Sequence, residues 1–311
     1  MNYLVTGGAG FIGSNICRTL VRQGFSVRVV DNLLTGKKSN LADILNKIDF
    51  IEGDIGNRDV AKKAVDGMDV VLHQAALPSV PLSVDNPQDT HRHCVDATFT
   101  LLVAARDAKI KRFVYAASSS AYGDSPTLPK VETMLPNPLS PYAAAKLFGE
   151  YYCSVFSTVY GLETISLRYF NVFGPYQNPA SQYAAAIPAF VTKIMADTPP
   201  TIYGDGEQSR DFTYVDNVVH ANLLAAKAPK TAGQAINIAC GDCITINDII
   251  RQINRILGKD IQPKYVPPRL GDVRHSLASI EKAKELIGFQ PAVSFKDGLA
   301  LAVQWYRKNL L

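Results

Sequence analysis

The chain has 311 residues, of which 47% are hydrophobic and 19% charged, so it can bury a large core as one large domain or two smaller ones. Its net charge of +4 is spread along the chain without a Lys/Arg block, which argues against nucleic acid or a membrane surface as a partner. No apolar run approaches the roughly 18 residues of a membrane-spanning helix, and no basic and apolar leader opens the sequence, so we expect a cytoplasmic protein.

Short β-branched runs alternate with helical patterns through the first half of the chain. The predicted strands cover 2–6, 26–31, 48–52, 69–74, 112–117 and 163–168. The predicted helices between them cover 12–23, 39–46, 58–65, 89–108 and 141–160. This alternation is typical of βαβ units with right-handed crossovers, and it predicts an α/β fold with a doubly wound parallel sheet of the Rossmann type.

The pattern changes after about residue 170, where Pro and Gly become more frequent and the runs shorter. Further helices are predicted over 183–196, 215–227, 245–257 and 295–308. We expect a dinucleotide-binding domain over 1–170 and a smaller mixed α/β lobe over 171–311, with a boundary that some segments cross. The lobe would bind substrate at the carboxyl edge of the sheet, where open α/β sheets bind their ligands.

A glycine-rich segment, TGGAGFIG, follows the first predicted strand and opens the first predicted helix. Gly8, Gly10 and Gly13 satisfy the spacing G-x-G-x-x-G, which lets the backbone approach a pyrophosphate at a helix N-terminus. The second predicted strand ends in Asp31, whose carboxylate would accept hydrogen bonds from an adenosine ribose. Because this carboxylate would repel a 2′-phosphate, the motif predicts NAD rather than NADP.

A tyrosine and a lysine, Tyr142 and Lys146, lie four residues apart in the predicted helix over 141–160, within SPYAAAK. Residues at this spacing share one face of a helix, so the phenol and the ammonium would stand one above the other. Taken alone, the pair is more typical of an exposed helix surface than of a catalytic site. Its chemical meaning depends on the rest of the chain.

Several motifs in the same order resemble the short-chain dehydrogenase/reductase superfamily, and more closely its extended branch of NAD-dependent nucleotide-sugar epimerases and dehydratases. Within that branch the chain is most similar to UDP-N-acetylglucosamine and UDP-glucose 4-epimerases. The matching segments run nearly end to end and are TGGAGFIG at 6–13, HQAA at 73–76, SSSAYG at 118–123, SPYAAAK at 140–146, RYFNVFGP at 168–175 and SRDFTYVDNVV at 209–219.

The resemblance implies tightly bound NAD as the cofactor. The residues expected to contact it are Gly7, Gly8, Gly10, Phe11, Ile12, Gly13, Asp31, Asn32, Asp54, Ile55, Gln74, Ala75, Ala76, Tyr142 and Lys146.

The resemblance also implies a catalytic set. Tyr142 would be the general base, because Lys146 and the positive nicotinamide favour the phenolate and lower its pKa. A serine hydroxyl would polarise the sugar oxygen, and the spacing favours Ser118, with Ser119 as the alternative. Related dehydratases and decarboxylases carry carboxylates after that position, whereas this chain has Ser119 and Ser120, so elimination is disfavoured. The reaction that remains is reversible oxidation of the sugar at C4, followed by reduction from its other face.

Substrate contacts follow from the same resemblance. Asn171 would contact the diphosphate, Arg210 with Arg269 and Asp272 would hold the nucleotide, and the small Ser276 would leave room for an N-acetyl group. The full expected set is Ser79, Ser118, Ser119, Ser120, Tyr142, Asn171, Arg210, Arg269, Asp272 and Ser276.

We therefore expect interconversion of UDP-GlcNAc and UDP-GalNAc, as in polysaccharide pathways. UDP-glucose/UDP-galactose epimerisation is the alternative. A 4-reductase of the same family and a non-catalytic NAD-binding protein are the other hypotheses, but Asp31 disfavours the NADPH that a reductase prefers, and the intact Tyr142 and Lys146 disfavour a non-catalytic role.

Five scattered cysteines, an odd number, argue against a disulfide framework, and Cys240 and Cys243 lack the further ligands of a zinc site, so we expect no metal. Cys94 departs from the family pattern, which usually has an asparagine there. In the family, the helices that correspond to 89–108 and 141–160 form a dimer interface, which implies a homodimer.

Overall fold

The computed structural model describes residues 1–179, 185–268 and 274–310. The expected substrate residues Arg269 and Asp272 lie outside the described residues. The strands are β1 (Asn2–Thr6), β2 (Ser26–Asp31), β3 (Asp49–Glu52), β4 (Val70–His73), β5 (Arg112–Ser118), β6 (Thr164–Tyr169), β7 (Val172–Phe173), β8 (Thr201–Tyr203), β9 (Ser209–Arg210), β10 (Thr213–Tyr214), β11 (Ala235–Ile238), β12 (Ile244–Thr245), β13 (Lys264–Val266) and β14 (His275–Ser276).

The described residues also form α-helices. They are α1 (Phe11–Arg22), α2 (Arg58–Val65), α3 (Val80–Asp85), α4 (Pro87–His91), α5 (Ala97–Asp107), α6 (Pro141–Tyr160), α7 (Ala186–Met195), α8 (Val215–Lys227), α9 (Ile246–Leu257), α10 (Glu281–Ile287) and α11 (Phe295–Leu310). Within the described ranges, none of these helices is both long enough and apolar enough to cross a membrane.

A parallel sheet with the strand order β11-β6-β5-β4-β1-β2-β3 forms the centre of the molecule. β1 pairs with β2 on one side and β4 on the other, so the strand order reverses there, as in doubly wound folds. Separate buried apolar clusters cover the two faces of the sheet, and a third fills the second lobe. The predicted doubly wound Rossmann-type sheet is confirmed.

Local signals explain the position of the long helix α6. The Ser140 hydroxyl accepts a hydrogen bond from the Ala143 amide at 3.1 Å, and Pro141 occupies the first helical position, where its missing N–H costs nothing. The helix ends at Gly161, whose φ of 69° is a left-handed conformation that favours glycine. Tyr142 and Lys146 therefore lie in the first turns of a well-capped helix.

Two predicted helices differ in the structure. The segment 39–46 is not an α-helix, and the prediction was wrong; two short 3₁₀ turns, Lys38–Leu41 and Leu45–Lys47, occupy it instead. Leu41 and Ile44, three residues apart, are both buried, a spacing that suits the tighter 3₁₀ geometry. The segment 89–108 is helical but not uniform, because a π-helical turn over Arg92–Asp96 separates α4 from α5.

Part of the chain beyond residue 170 belongs to the central sheet. β11 pairs in parallel with β6, and α8 packs over β4, β5 and β6. The two lobes are therefore interleaved along the sequence. The division at residue 170 stays a prediction.

Candidate active site

A cavity of about 1040 Å³ lies at the carboxyl ends of the parallel strands. It is lined by every residue expected to contact NAD except Gly8. Gly8 is buried behind the lining, where an added Cβ would come within 2.6 Å of the Val29 side chain. Of the expected substrate residues, those that line the cavity are Ser79, Ser118, Ser119, Tyr142 and Asn171.

The glycine turn between β1 and α1 needs its missing side chains. Gly7 has a φ of +65°, and a Cβ on Gly13 would lie 2.2 Å from the Gly7 carbonyl oxygen. The Gly10 amide donates to that same oxygen at 3.0 Å, which closes the turn tightly. No side chain caps the N-terminus of α1 at Gly10, so its first amides face the cavity without an internal acceptor. This turn fits a pyrophosphate.

Asp31 lies at the end of β2, as predicted. Its carboxylate accepts hydrogen bonds from the Ala9 amide and the Leu33 amide, each at 2.9 Å. Burial raises the pKa of Asp31, and these two bonds oppose the shift. Each carboxylate oxygen keeps a second acceptor position, so the group can still accept from the hydroxyls of a ribose. The residues at this end of the cavity fit NAD.

A chain of hydroxyls runs from the serine segment to Tyr142. The Ser120 Oγ donates to the Ser118 Oγ at 2.8 Å, which leaves the Ser118 proton available. Ser118 lies near the Tyr142 phenol and lowers its pKa. Ser120 is not part of the described cavity lining, and its hydroxyl donates to Ser118. Ser118 and Ser119 both line the cavity, and the choice of Ser118 as the catalytic serine stays a prediction.

Burial raises the pKa of Tyr142, with Cys94 contributing in the same direction, whereas Ser118 lowers it. The expectation that Lys146 and the nicotinamide together lower this pKa stays a prediction. The Lys146 Nζ donates to the Ala116 carbonyl oxygen at 2.9 Å and lies 5.0 Å from the centre of the Tyr115 ring. Burial also lowers the pKa of Lys146 itself.

Behind these groups lies a buried imidazole that our sequence analysis did not assign to the site. His73 is hydrogen-bonded to Thr6 Oγ1 at 2.7 Å and to Thr98 Oγ1 at 2.9 Å. Thr98 Oγ1 in turn donates to the Cys94 carbonyl at 2.7 Å, within the π-helical turn. Burial, with a smaller effect of Lys146, lowers the pKa of His73 to about 3, so the imidazole is neutral at pH 7.

The substrate side of the site is built around Asn171. Its φ of 34° lies in the left-handed region, and its Nδ2 donates to the Asp211 carbonyl at 2.8 Å. The Asp211 carboxylate is buried and accepts from the Cys240 and Gly241 amides at 2.9 and 3.0 Å. Burial raises the pKa of Asp211 to about 6. This network joins the cavity wall to the second lobe.

Arg210 and Ser276 are brought together from distant parts of the sequence. They are direct partners in the parallel pairing of β9 with β14. The Arg210 Nη1 donates to the carbonyls of Ser209 and Arg274, each at 3.0 Å. Neither Arg210 nor Ser276 belongs to the cavity lining formed by the described residues, and their role in binding substrate stays a prediction.

Other residues that line the cavity carried no usable signal in the sequence. They come from the chain after β7 and from the C-terminal helix, and they are Tyr176, Gln177, Asn178 and Trp305. Tertiary packing alone brings them to the site, and no local pattern marks them.

Comparisons with known proteins agree with this geometry. A sequence model described as the NAD dependent epimerase/dehydratase family matches residues 3–239. A putative UDP-glucose 4-epimerase from Methanocaldococcus jannaschii is 37% identical over 308 residues, which cover 98% of each chain.

Two solved structures are also similar. One is a UDP-N-acetylglucosamine 4-epimerase from Methanobrevibacter ruminantium in complex with UDP-N-acetylmuramic acid; its TM-score is 0.95 at 41% identity, covering 99% of this chain and 98% of that one. The other is a UDP-glucose 4-epimerase from Thermotoga maritima with UDP-glucose; its TM-score is 0.95 at 38% identity, with both chains covered completely. The predicted family and the predicted cofactor, NAD, are confirmed. The chain belongs to the NAD-dependent epimerase/dehydratase family of enzymes.

Proposed function

We propose that this enzyme is a UDP-hexose 4-epimerase and that its substrates are UDP-GlcNAc and UDP-GalNAc. One observation carries the proposal: Ser118 and Tyr142 line one cavity that also contains the glycine turn and Asn171, and Ser118 is near enough to the Tyr142 phenol to lower its pKa. A base, a hydroxyl donor and a dinucleotide site share one space. That combination suits oxidation and reduction of a sugar alcohol.

The residues that would hold NAD are the glycine turn at its pyrophosphate and Asp31 at its ribose. When bound, NAD supplies a hydride acceptor that carries positive charge. Lys146 is buried on the same face of α6 as Tyr142, so it adds a second cation to that environment. Because burial alone raises the pKa of Tyr142, these cations are needed to make the phenol an effective base at pH 7.

The protein groups then move one proton. Tyr142 as phenolate accepts the proton of the C4 hydroxyl, and the Ser118 hydroxyl, oriented by Ser120, donates a hydrogen bond to the same sugar oxygen. In the return direction Tyr142 gives the proton back to C4 oxygen after the sugar has turned its other face. No net proton is consumed, so the equilibrium between the two epimers does not depend on pH.

Elimination of water is disfavoured because it needs an additional acid next to the sugar. The two residues after Ser118 are Ser119 and Ser120, and hydroxyl groups at these positions cannot serve as carboxylic acids. This argument supports an epimerase over the dehydratases of the same family.

The choice of an N-acetylated sugar rests on Ser276. Its side chain is small and half-buried, and it lies opposite Arg210 in the β9–β14 pair. A small residue here leaves room for an acetamido group on C2, whereas a tyrosine would fill that room. Similarity to the M. ruminantium UDP-N-acetylglucosamine 4-epimerase supports the same choice. Comparable similarity to the T. maritima enzyme supports UDP-glucose as the second candidate.

A homodimer is part of the proposal. α5 and α6 pack together through Phe99, whose ring centre lies 5.1 Å from that of Tyr152. The outer surface of the two helices remains apolar and exposed, and the residues that form this apolar surface are Phe99, Phe148, Tyr151, Val155 and Val159. Clustered exposed apolar side chains on adjacent helices are typical of a protein interface. We further place the enzyme in the cytoplasm, acting in polysaccharide synthesis.

The test is an equilibrium assay of the purified protein on UDP-GlcNAc, UDP-glucose and UDP-glucuronate, each alone and without added reductant. Proton NMR resolves the products. The 4-epimer of UDP-GlcNAc is the expected product. Conversion of UDP-glucose or UDP-glucuronate only would support the proposed epimerisation but refute the preference for an N-acetylated sugar. If none of the three substrates gave an epimer, the proposed activity would be refuted.

A further inference from the structure

The segment 174–178, which follows β7, forms part of the cavity wall without belonging to the catalytic set. Tyr176, Gln177 and Asn178 from this segment line the cavity. Tyr176 has a φ of 68°, a left-handed conformation that costs a non-glycine residue free energy and persists only when the surroundings hold it. Two helices contact this segment and stabilise its conformation.

Helix α1 holds the segment from one side. The Asn15 Nδ2 donates to the Phe11 carbonyl at 2.9 Å and to the Pro175 carbonyl at 3.1 Å. One turn further, the Arg18 guanidinium stacks on the Tyr176 ring, with its carbon 3.8 Å from the ring centre. Planar stacking of this kind is a favourable cation–π arrangement.

Helix α11 holds the segment from the other side. The Tyr306 hydroxyl, which is fully buried, donates to the Gln177 carbonyl at 2.9 Å. The Trp305 ring packs on Tyr176 with 4.9 Å between the ring centres, and Trp305 also lines the cavity. Tyr176 is thus placed between an arginine and a tryptophan.

Arg18 also binds a second part of the cavity wall, the loop after β2. Its Nε and Nη2 form two bonds to the Asp43 carboxylate, at 2.9 and 2.7 Å, and its Nη2 donates to the Asn40 carbonyl. Asn40 lines the cavity and donates from its own side chain to the Ala9 carbonyl at 2.9 Å. A single guanidinium therefore joins two walls that are distant in sequence.

The geometry points to a clasp, formed by Arg18, Tyr176 and Trp305, that retains NAD in the cavity. It contacts α1, α11 and the loop that follows Asp31, and through Asn40 it is joined to the glycine turn. It therefore acts on the dinucleotide part of the cavity rather than on the sugar. The inference rests on NAD as the cofactor, and it is independent of which sugar the enzyme accepts.

The clasp predicts slow release of the dinucleotide, because release requires Tyr176 to leave its two partners. Trp305 is the single tryptophan of the chain and lines the cavity, so energy transfer from its indole to bound NADH reports occupancy directly. The full-length enzyme is loaded with NADH and mixed with excess NAD, and the loss of the transfer signal gives the release rate.

Two matched pairs of variants test the clasp. Tyr176→Leu removes the ring, whereas Tyr176→Phe keeps it. Arg18→Gln removes the stacked cation, whereas Arg22→Gln changes the next arginine of α1, whose guanidinium donates to Thr19 Oγ1. We expect about tenfold faster NADH release from Tyr176→Leu and Arg18→Gln, as the loss of one stacking contact would give, and rates within about twofold of wild type from the two controls.

The clasp would be refuted if Tyr176→Leu released NADH at the wild-type rate, or if Tyr176→Phe released NADH as fast as Tyr176→Leu. A wild-type enzyme that retains no NADH would refute it as well. If Arg18→Gln does not fold, the comparison of Tyr176→Leu with Tyr176→Phe still tests the clasp. The readout contains no sugar, so a failure of the clasp and a failure of the proposed epimerase activity give separate results.

Discussion

Ser118 and Tyr142 line the same cavity, and Ser118 lowers the pKa of the Tyr142 phenol, although one residue ends a central strand and the other opens a long helix. β5 and α6 therefore meet where the chemistry is proposed. The Ser118 hydroxyl receives a bond from Ser120 and is left with its own proton for the phenol. This arrangement lets a hydroxyl donor and a base act on one sugar oxygen.

Replacing Tyr142 with phenylalanine removes the proposed base and keeps the ring. Since positioned general bases contribute about 10²–10⁴-fold, we expect kcat to fall by at least that range while NAD remains bound. Product formation is measured by NMR, and bound NAD by absorbance after gel filtration. Near-normal turnover in this variant would rule out Tyr142 as the base.

Substitutions in the serine segment distinguish the two candidate serines. Ser118→Ala removes the hydroxyl near the phenol, so we expect a loss of about 100-fold in kcat. Ser120→Ala, the matched control, removes only the group that orients Ser118, and a loss of about fivefold is expected from one neutral hydrogen bond. The reverse order, or a larger effect of Ser119→Ala than of Ser118→Ala, would reassign the donor.

The buried His73 predicts a loss of stability in acid. Its pKa is lowered to about 3 by burial, whereas in the unfolded chain it is near 6.5, so the folded state disfavours the proton. The contribution of His73 to the free energy of unfolding is complete above about pH 6.5. It is lost as the pH falls towards 3, at up to about 1.4 kcal/mol per pH unit. Between pH 7 and pH 5 the free energy of unfolding should therefore drop by about 2 kcal/mol from this group.

Urea unfolding of His73→Gln at the two pH values tests this contribution. Glutamine can still donate and accept hydrogen bonds but does not titrate, so its pH dependence should be flatter by about the same amount. His220→Gln, at an exposed position of α8, is the control and should keep the wild-type slope. An unchanged slope in His73→Gln would show that the imidazole is not the acid-sensitive group.

Ser276→Tyr tests the room proposed for the acetamido group. Because a phenol would fill the space opposite Arg210, kcat/KM for UDP-GlcNAc should fall by at least about tenfold more than for UDP-glucose, a difference of about 1.4 kcal/mol. Ser276→Ala keeps the space and should preserve the preference. Equal losses for both sugars would remove Ser276 from the explanation of specificity.

The apolar surface of α5 and α6 predicts a dimer that a charge would disrupt. Val155→Lys places an ammonium in the middle of that surface, where it would be desolvated on association, so we expect a monomer by light scattering. Leu135→Lys is the control, since Leu135 is 91% exposed but lies on a separate loop. A wild-type monomer, or a dimeric Val155→Lys, would refute this interface.

Local patterns explain which elements the sequence could predict. The capped α6 and the glycine turn before α1 carry their own signals, in Ser140, Pro141 and the glycine spacing. The segment 39–46 has a helical pattern but folds into 3₁₀ turns, because packing of Leu41 and Ile44 on the core decides its geometry. The π-helical turn around Cys94 likewise has no sequence signature.

Long-range contacts explain what the sequence could not predict. β11 pairs with β6, and Arg210 pairs with Ser276. The sequence pattern of each of these segments does not predict which other segment it pairs with. Burial raises the pKa of Tyr142, and the Tyr-x-x-x-Lys spacing alone does not reveal that effect. The residues that make up the site were more predictable than their electrostatic environment.

The most direct measurement of the central claim uses UDP-GlcNAc that carries deuterium at C4 of the sugar. The purified enzyme is incubated with it in ordinary water, without added reductant, and both epimers are examined by NMR. We expect UDP-GalNAc that retains deuterium at C4, because the hydrogen removed from C4 returns to the same carbon. An epimer with hydrogen from solvent at C4, or no epimer at all, would contradict the central claim.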